Sequence, residues 1–188
     1  MDLKALQNTC CSCTKCQLSD SRNKVVFGQG NEKTSLLFIG EGPGEQEDLK
    51  GIPFVGKSGQ LFDKMLEAID LTRDDIYIAN IVKCRPPGNR NPKAEEIESC
   101  IPYLYKQIEL INPEIIVCLG KIASENVMHK DFKITKERGI WYYMNNRHYM
   151  ATFHPSFLLR DPSRKGQAWS DFKEIKNAYR ILTKNCSN

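Results

Sequence analysis

Four cysteines pose the first chemical question. Cys13 and Cys16 form a C-x2-C pair near the N-terminus, Cys84 opens the segment CRPPGNRNP, and Cys100 follows it. Four soft thiolates brought together offset the charge of a soft metal, so the pattern reads as a zinc or iron–sulfur site. Zinc modules usually close two tight knuckles. Here the second pair is spread over some fifteen residues, which leans away from an ordinary zinc ribbon. Cys10 and Cys11 are close enough to replace either member of the first pair, and Cys118 and Cys186 stand apart. Disulfides are the competing reading. The chain starts without a charged segment leading into an apolar one, so metal ligation in the cytoplasm is expected instead.

The other residues able to do chemistry follow short apolar runs. Four runs read as buried strands: residues 35–40, 77–82, 114–120 and 148–154. Each is stopped by Gly, Pro or polar residues. Amphipathic stretches lie between them at 59–71, 92–110 and 121–129, and another closes the chain at 169–184. This alternation predicts an α/β fold, a three-layer α/β/α sandwich around a mostly parallel four-stranded sheet. Ligands of such folds sit outside the carboxyl ends of the strands. GEGPGEQED, Asn80 with KCRPPGNRNP, CLGK and HPSFLLR all fall there. Gly-rich, amide, basic and imidazole-bearing loops would thus face one crevice, an arrangement with no structural necessity.

A length of 188 residues suits a single domain, 1–188, and no internal repeat or linker divides it. No apolar run approaches the ~20 residues of a membrane span, so no membrane is expected, and a monomer is. Lys and Arg number 27 against 23 Asp and Glu, a formal charge of +4, compatible with a polyanionic partner. The GEGPG loop lacks the G-x-x-x-x-G-K-[ST] phosphate cradle, which argues against a plain nucleotide-binding protein.

Taken in order, CTKCQL, VVFGQG, GEGPGEQED, GIPFVGKSGQLF, NIVKCRPPGNRNP and the late HPS resemble the family 4 uracil-DNA glycosylases, over nearly the whole chain. The resemblance implies a uracil-DNA glycosylase-like fold and a 4Fe-4S cluster on Cys13, Cys16, Cys84 and Cys100. It also implies removal of uracil from single- or double-stranded DNA, with free uracil as product. The family's GEAPG is here GEGPG, with Gly42 where alanine is common.

That chemistry makes demands that named residues can meet. Uracil leaves as an anion while the sugar becomes oxocarbenium-like, so charge develops on the base O2 and on the sugar. His154 can donate to O2, and backbone N–H groups of GEGPG can add to an oxyanion-type site. Asn80 offers an acceptor for N3–H and a donor for O4, a pattern that rejects cytosine. Phe54 resembles the family's stacking residue. The resemblance points to Glu47 beside C5, where a carboxylate would repel the thymine methyl. Glu45 and Asp48 are close enough in sequence to blur that assignment, and the usual meaning of such an acidic run is a solvated turn. Better-known uracil glycosylases of another family place an aspartate where this chain has Gly42, which leaves Glu41 as the carboxylate nearest the sugar. Electrostatic stabilisation by Glu41 is therefore expected over strict base catalysis.

Lys57, Ser58, Arg85, Arg90, Arg160, Arg164 and Lys165 are the candidate phosphate handles. Leu158 or Leu159 is the candidate wedge for the gap left by a flipped base. The cluster is expected to be structural. A non-catalytic iron–sulfur or zinc protein that binds nucleic acid is the alternative. A covalent variant of the chemistry would need a KRRIH-like insertion, and none is present between CRPPGNRNP and HPS.

Overall fold

Side-chain alternation along two central strands builds the layers. In the computed structural model, which describes residues 2–185, β1 (Gln29–Gly30) and β2 (Leu36–Gly40) are followed by β3 (Tyr77–Asn80), β4 (Ile115–Leu119), β5 (Tyr142–Met144) and β6 (Arg147–Thr152). The helices are α1 (Leu3–Cys11), α2 (Leu18–Ser21), α3 (Glu45–Lys50), α4 (Lys57–Glu67), α5 (Ala94–Ile111), α6 (Lys121–Val127), α7 (Ile134–Glu137), α8 (Pro155–Arg160) and α9 (Lys165–Asn185). Leu37, Ile39, Ile116 and Cys118 face one core shared with α1, α5 and α6. Leu36, Phe38, Ile115 and Val117 face a second core against α4 and α9. Cys118 is thus an inert core residue, and Cys186 lies outside the described residues.

The sheet order is β1-β3-β2-β4-β6-β5. β3, β2, β4 and β6 run parallel, as the four apolar runs require. The four-stranded expectation falls short by two, because β1 and β5 add antiparallel edges and make the sheet mixed. Both edges are too short to carry a periodic signal. The β5–β6 hairpin turns through Asn145 and Asn146, both at positive φ (49° and 59°), the backbone that a tight primed turn demands.

Register then fixes the working edge. Gly40 pairs with Asn80 and Leu119 with Thr152, so the segments at 41–44, 81–92, 120 and 153–154 leave the sheet together. Among the described residues no helix is long and apolar enough to cross a membrane.

Candidate active site

A cleft of about 280 Å³ opens at this edge. Glu41, Gly42, Glu47, Phe54, Ser58, Asn80, His154 and Arg160 all line it, drawn from four separate segments of the chain. Lys57, Arg85 and Arg164 are not among its lining residues.

Asn80 closes β3 and is 2% exposed. Among the described residues its Oδ1 has no hydrogen-bond partner. Such a buried acceptor costs about 1–3 kcal/mol, which a ligand N–H would relieve. A residue that the sequence reading passed over makes room for it: a Cβ on Gly40 would lie 2.5 Å from Asn80 Oδ1 and 2.7 Å from Phe54 Cζ. Displacing a reacting group by about 1 Å can cost on the order of a hundredfold in rate. Gly40→Ala is expected to lose that much kcat/KM with its circular dichroism unchanged; an undiminished rate would show that the cleft floor tolerates a methyl.

Phe54 sits at φ 56°, a left-handed backbone costing an aromatic residue roughly 1–3 kcal/mol. Arg73 holds it there, donating through Nη1 to Pro53 O at 2.9 Å and through Nη2 to Phe54 O, with Nε paired to Asp63 at 2.7 Å. A Cβ on Gly59 would meet Phe54 O at 1.8 Å, so glycine is needed beneath the turn. The Phe54 ring is centred 5.6 Å from the His154 imidazole. It is backed by Phe62 at 5.3 Å.

Glu47 and its neighbours depart from the solvated-turn reading. Glu47 is buried, and its Oε1 accepts from Val55 N at 2.8 Å and Gly56 N at 2.7 Å. The carboxylate thereby fixes the Phe54 loop at the start of α4, and Oε2 faces Gly44 on the cleft side. Asp48 is buried too, accepting from Asn23 N at 2.9 Å, and only Glu45 is exposed. A sixfold acidic-polar segment thus folds as α3 rather than as a turn.

His154 precedes α8, and Ser156 N–H donates to its Nδ1 at 3.1 Å. A ring nitrogen that accepts from a backbone N–H carries no proton, so the neutral ring is protonated at Nε2. Burial, with Arg160 adding like-charge repulsion, pushes the imidazole down to about 4. An unfolded chain would regain a value near 6.5, so it takes up the proton first as pH falls. This group's contribution to stability is therefore complete above about pH 6.5 and is lost between there and about pH 4. The His154 ring resonances are expected to stay fixed from pH 8 to 5 in an NMR titration; a midpoint near 6.5 would refute the buried neutral donor. A Cβ on Gly120, at φ 86°, would lie 2.9 Å from His154 Cβ, so the CLGK glycine supports the imidazole.

Glu41 lines the cleft with its carboxyl raised by burial, an effect that Arg160 opposes. Gly42 is tighter than its sequence suggests, because a Cβ there would lie 2.7 Å from Val82 Cγ2. Among the basic candidates, Arg90 and Arg160 line the cleft and Lys57 is exposed at the start of α4. Arg85 Nε donates to Asn89 Oδ1 at 2.8 Å, and Asn89, at φ 55°, joins the cleft lining. Arg164 lies 3.6 Å from Asp161. While it lines the cleft, Arg90 also donates through Nη1 and Nη2 to buried Glu96 at 2.8 and 2.6 Å and anchors the start of α5. Of the two wedge candidates Leu158 is 1% exposed and packs in the core with Phe153 and Ala168, leaving Leu159, 45% exposed.

Behind β3, Cys13, Cys16, Cys84 and Cys100 line one small cavity, together with Cys10, Arg22 and Lys83. Cys11 is exposed. Arg22 Nη1 approaches Cys84 Sγ at 3.4 Å and Lys83 N–H donates to Cys100 Sγ at 3.2 Å. Among the described residues no group of three or more His, Cys, Asp or Glu is placed to hold a metal ion. The donor set nevertheless suits a thiolate-bound cluster: four sulfurs from two distant segments, with N–H donors turned toward them.

An α/β sheet whose carboxyl edge gathers an amide, a flat ring and a neutral imidazole around a base-sized cleft defines a class of base-handling proteins. A family model described as Uracil DNA glycosylase superfamily matches residues 27–173, and the chain belongs to that superfamily. Within it the chain is similar to Type-4 uracil-DNA glycosylases. It is 44% identical over 172 residues to that of Archaeoglobus fulgidus, covering 87% of this chain and 86% of the relative. With that of Thermotoga maritima it shares 48% over 157 residues, 81% of each. With that of Sulfurisphaera tokodaii it shares 41% over 183 residues, 93% of this chain and 83% of the relative.

Proposed function

We infer that this protein is a uracil-DNA glycosylase of DNA repair, an enzyme that hydrolyses the N-glycosidic bond of uracil in DNA, releasing free uracil and leaving an abasic site. The observation that carries the site assignment is the buried Asn80 Oδ1, unpartnered among the described residues and placed against the Phe54 ring in the cleft.

A uracil flipped into the cleft lays its face on Phe54. It gives N3–H to Asn80 Oδ1 and takes Asn80 Nδ2–H at O4. Cytosine presents the opposite pattern at these two positions and meets acceptor against acceptor at N3 and donor against donor at its amino group. As the glycosidic bond lengthens, His154 Nε2–H donates to the developing charge on O2, joined by backbone N–H groups of the 41–44 loop. The Glu41 carboxylate stabilises the cationic sugar and positions water, since Gly42 offers no side chain. Glu47 narrows the C5 side against a methyl.

Lys57, Ser58, Arg85, Arg160 and Arg164 hold the flanking phosphates, so binding weakens with salt. Leu159 fills the gap in the stack. When bound, a 4Fe-4S cluster on Cys13, Cys16, Cys84 and Cys100 would cross-link the segment after α1 to the loop leaving β3 and to α5, a structural service. The chain works as a single-domain monomer, 1–188, in the cytoplasm.

The test is an end-labelled oligonucleotide with one uracil, incubated with protein and then treated with alkali. Strand cleavage at that position is expected. Intact uracil, thymine and hypoxanthine duplexes after incubation with iron-loaded protein would overturn the enzyme.

A further inference from the structure

Lys83 immediately precedes a cluster cysteine, yet it is 1% exposed, and all three partners of its ammonium are formally neutral. Nζ donates to Asn80 O at 2.8 Å and to Gln107 Oε1 at 2.5 Å, and stands 6.0 Å from the centre of the Phe27 ring. Gln107 Nε2 donates in turn to Phe27 O at 2.9 Å, so the acceptor is itself held. A buried cation without a counter-charge is costly. Its neighbours on the other side are the cysteines: Lys83 lines their cavity and gives its own N–H to Cys100 Sγ. Four thiolates around a cluster carry net negative charge, which is the counter-charge this ammonium lacks.

We propose that Lys83 is a positioning residue that couples the cysteine site to base recognition. Its main chain and its charge belong to the cluster, and its Nζ fixes the carbonyl of Asn80, the residue whose amide reads the base. The geometry leaves little slack. Ile81 N–H donates to Gly40 O at 2.9 Å and Val82 N–H to Glu41 O at 3.1 Å, so the segment between Asn80 and Lys83 is tied to the cleft floor as well. Loss of the cluster would leave the ammonium without its counter-charge and loosen the segment that carries it, so the Asn80 carbonyl, and with it the amide, would be less firmly held. Uracil affinity, and not the fold alone, thereby depends on the loaded cysteine site. This inference rests on the functional reading above.

The experiment compares iron-loaded parent with Lys83→Met. Iron per chain and visible absorption report loading. Affinity is measured for an oligonucleotide carrying a uracil nucleotide with a hydrolysis-resistant, fluorinated sugar, against the same strand with cytosine. A hydrogen bond to a charged group carries about tenfold in affinity or more. Lys83→Met is therefore expected to keep its iron, to bind the uracil strand about tenfold less tightly, and to leave the cytosine strand unaffected. The cluster's reduction potential should also fall, because a neighbouring cation has gone. A merely structural lysine would lower melting temperature and weaken both strands alike.

Should Lys83→Met fail to load iron, Gln107→Leu replaces it, since Gln107 touches Nζ but not the cysteines. It should load fully and lose uracil affinity several-fold. An iron-loaded variant of either kind that binds both strands as the parent does overturns the coupling. Failure of the parent itself to excise uracil overturns the functional reading instead.

Discussion

Asn80→Ala is expected to lower kcat/KM for uracil excision on the order of a hundredfold to a thousandfold and to leave the melting temperature close to that of the parent. The two halves have one cause. The Asn80 amide is desolvated in the folded protein, and among the described residues Oδ1 finds no donor. The fold bears that cost, about 1–3 kcal/mol, for the sake of a ligand. In the proposed binding mode, removing the amide deletes two hydrogen bonds to the base, together roughly 2–4 kcal/mol of transition-state binding, the source of the rate loss. It also removes the orphaned acceptor, which offsets the packing lost when the side chain is truncated. Steady-state kinetics on a uracil oligonucleotide and thermal unfolding, run in parallel, decide the matter. A variant that unfolds many degrees lower while keeping its rate would make Asn80 a structural residue and would leave uracil recognition without its acceptor.

Such a residue was visible in the sequence because it broke a rule: an amide interrupting the apolar run YIANIV has no packing reason to be there. The same logic recovered the four parallel strands, whose buried faces demand near-continuous Val, Ile, Leu and Phe. It failed for the edges. Gln29–Gly30 and Tyr142–Met144 are too short and too mixed to show a period. It also failed for the short helices α3 and α8, where six residues give no amphipathic pattern and the acidic or prolyl start reads as a loop.

At the site, the polar and aromatic side chains that line the cleft were legible, and residues that make room for them or hold them were not. Gly40 matters because Asn80 and Phe54 converge over it, a fact of register between β2 and β3 that one strand alone cannot reveal. Arg73 lies about twenty residues from the Phe54 loop it secures, and Lys83 looks like one more surface lysine until Gln107, from α5, arrives beside it. Arg90 has a second task that its charge did not announce: Glu96, in the first turn of α5, takes hydrogen bonds from Nη1 and Nη2 while the residue still lines the cleft. Glu47 serves two readings at once, because one oxygen is committed to the Phe54 loop while the other still faces the cleft.

His154→Ala is expected to lower kcat about a hundredfold to a thousandfold, the usual loss when one preorganised oxyanion donor is removed, with a smaller change in KM. The split follows from where charge appears. Uracil O2 in the ground state is a neutral carbonyl and asks little of Nε2–H; the departing uracil anion asks much more, so the bond matters chiefly in the transition state. The structure prepares for this in three ways. Ser156 N–H on Nδ1 fixes the tautomer, Gly120 lets the imidazole sit against the sheet edge, and burial keeps the ring neutral. A neutral donor needs no proton transfer, which suits a leaving group whose anion is itself stable. His154→Gln, which can still present an N–H, should recover part of the loss, and Ser156→Ala should cost less than either because its backbone N–H remains. Equal losses in KM and kcat/KM with kcat intact would place His154 in substrate binding instead, and the developing charge on O2 would then fall to the backbone N–H groups of the 41–44 loop.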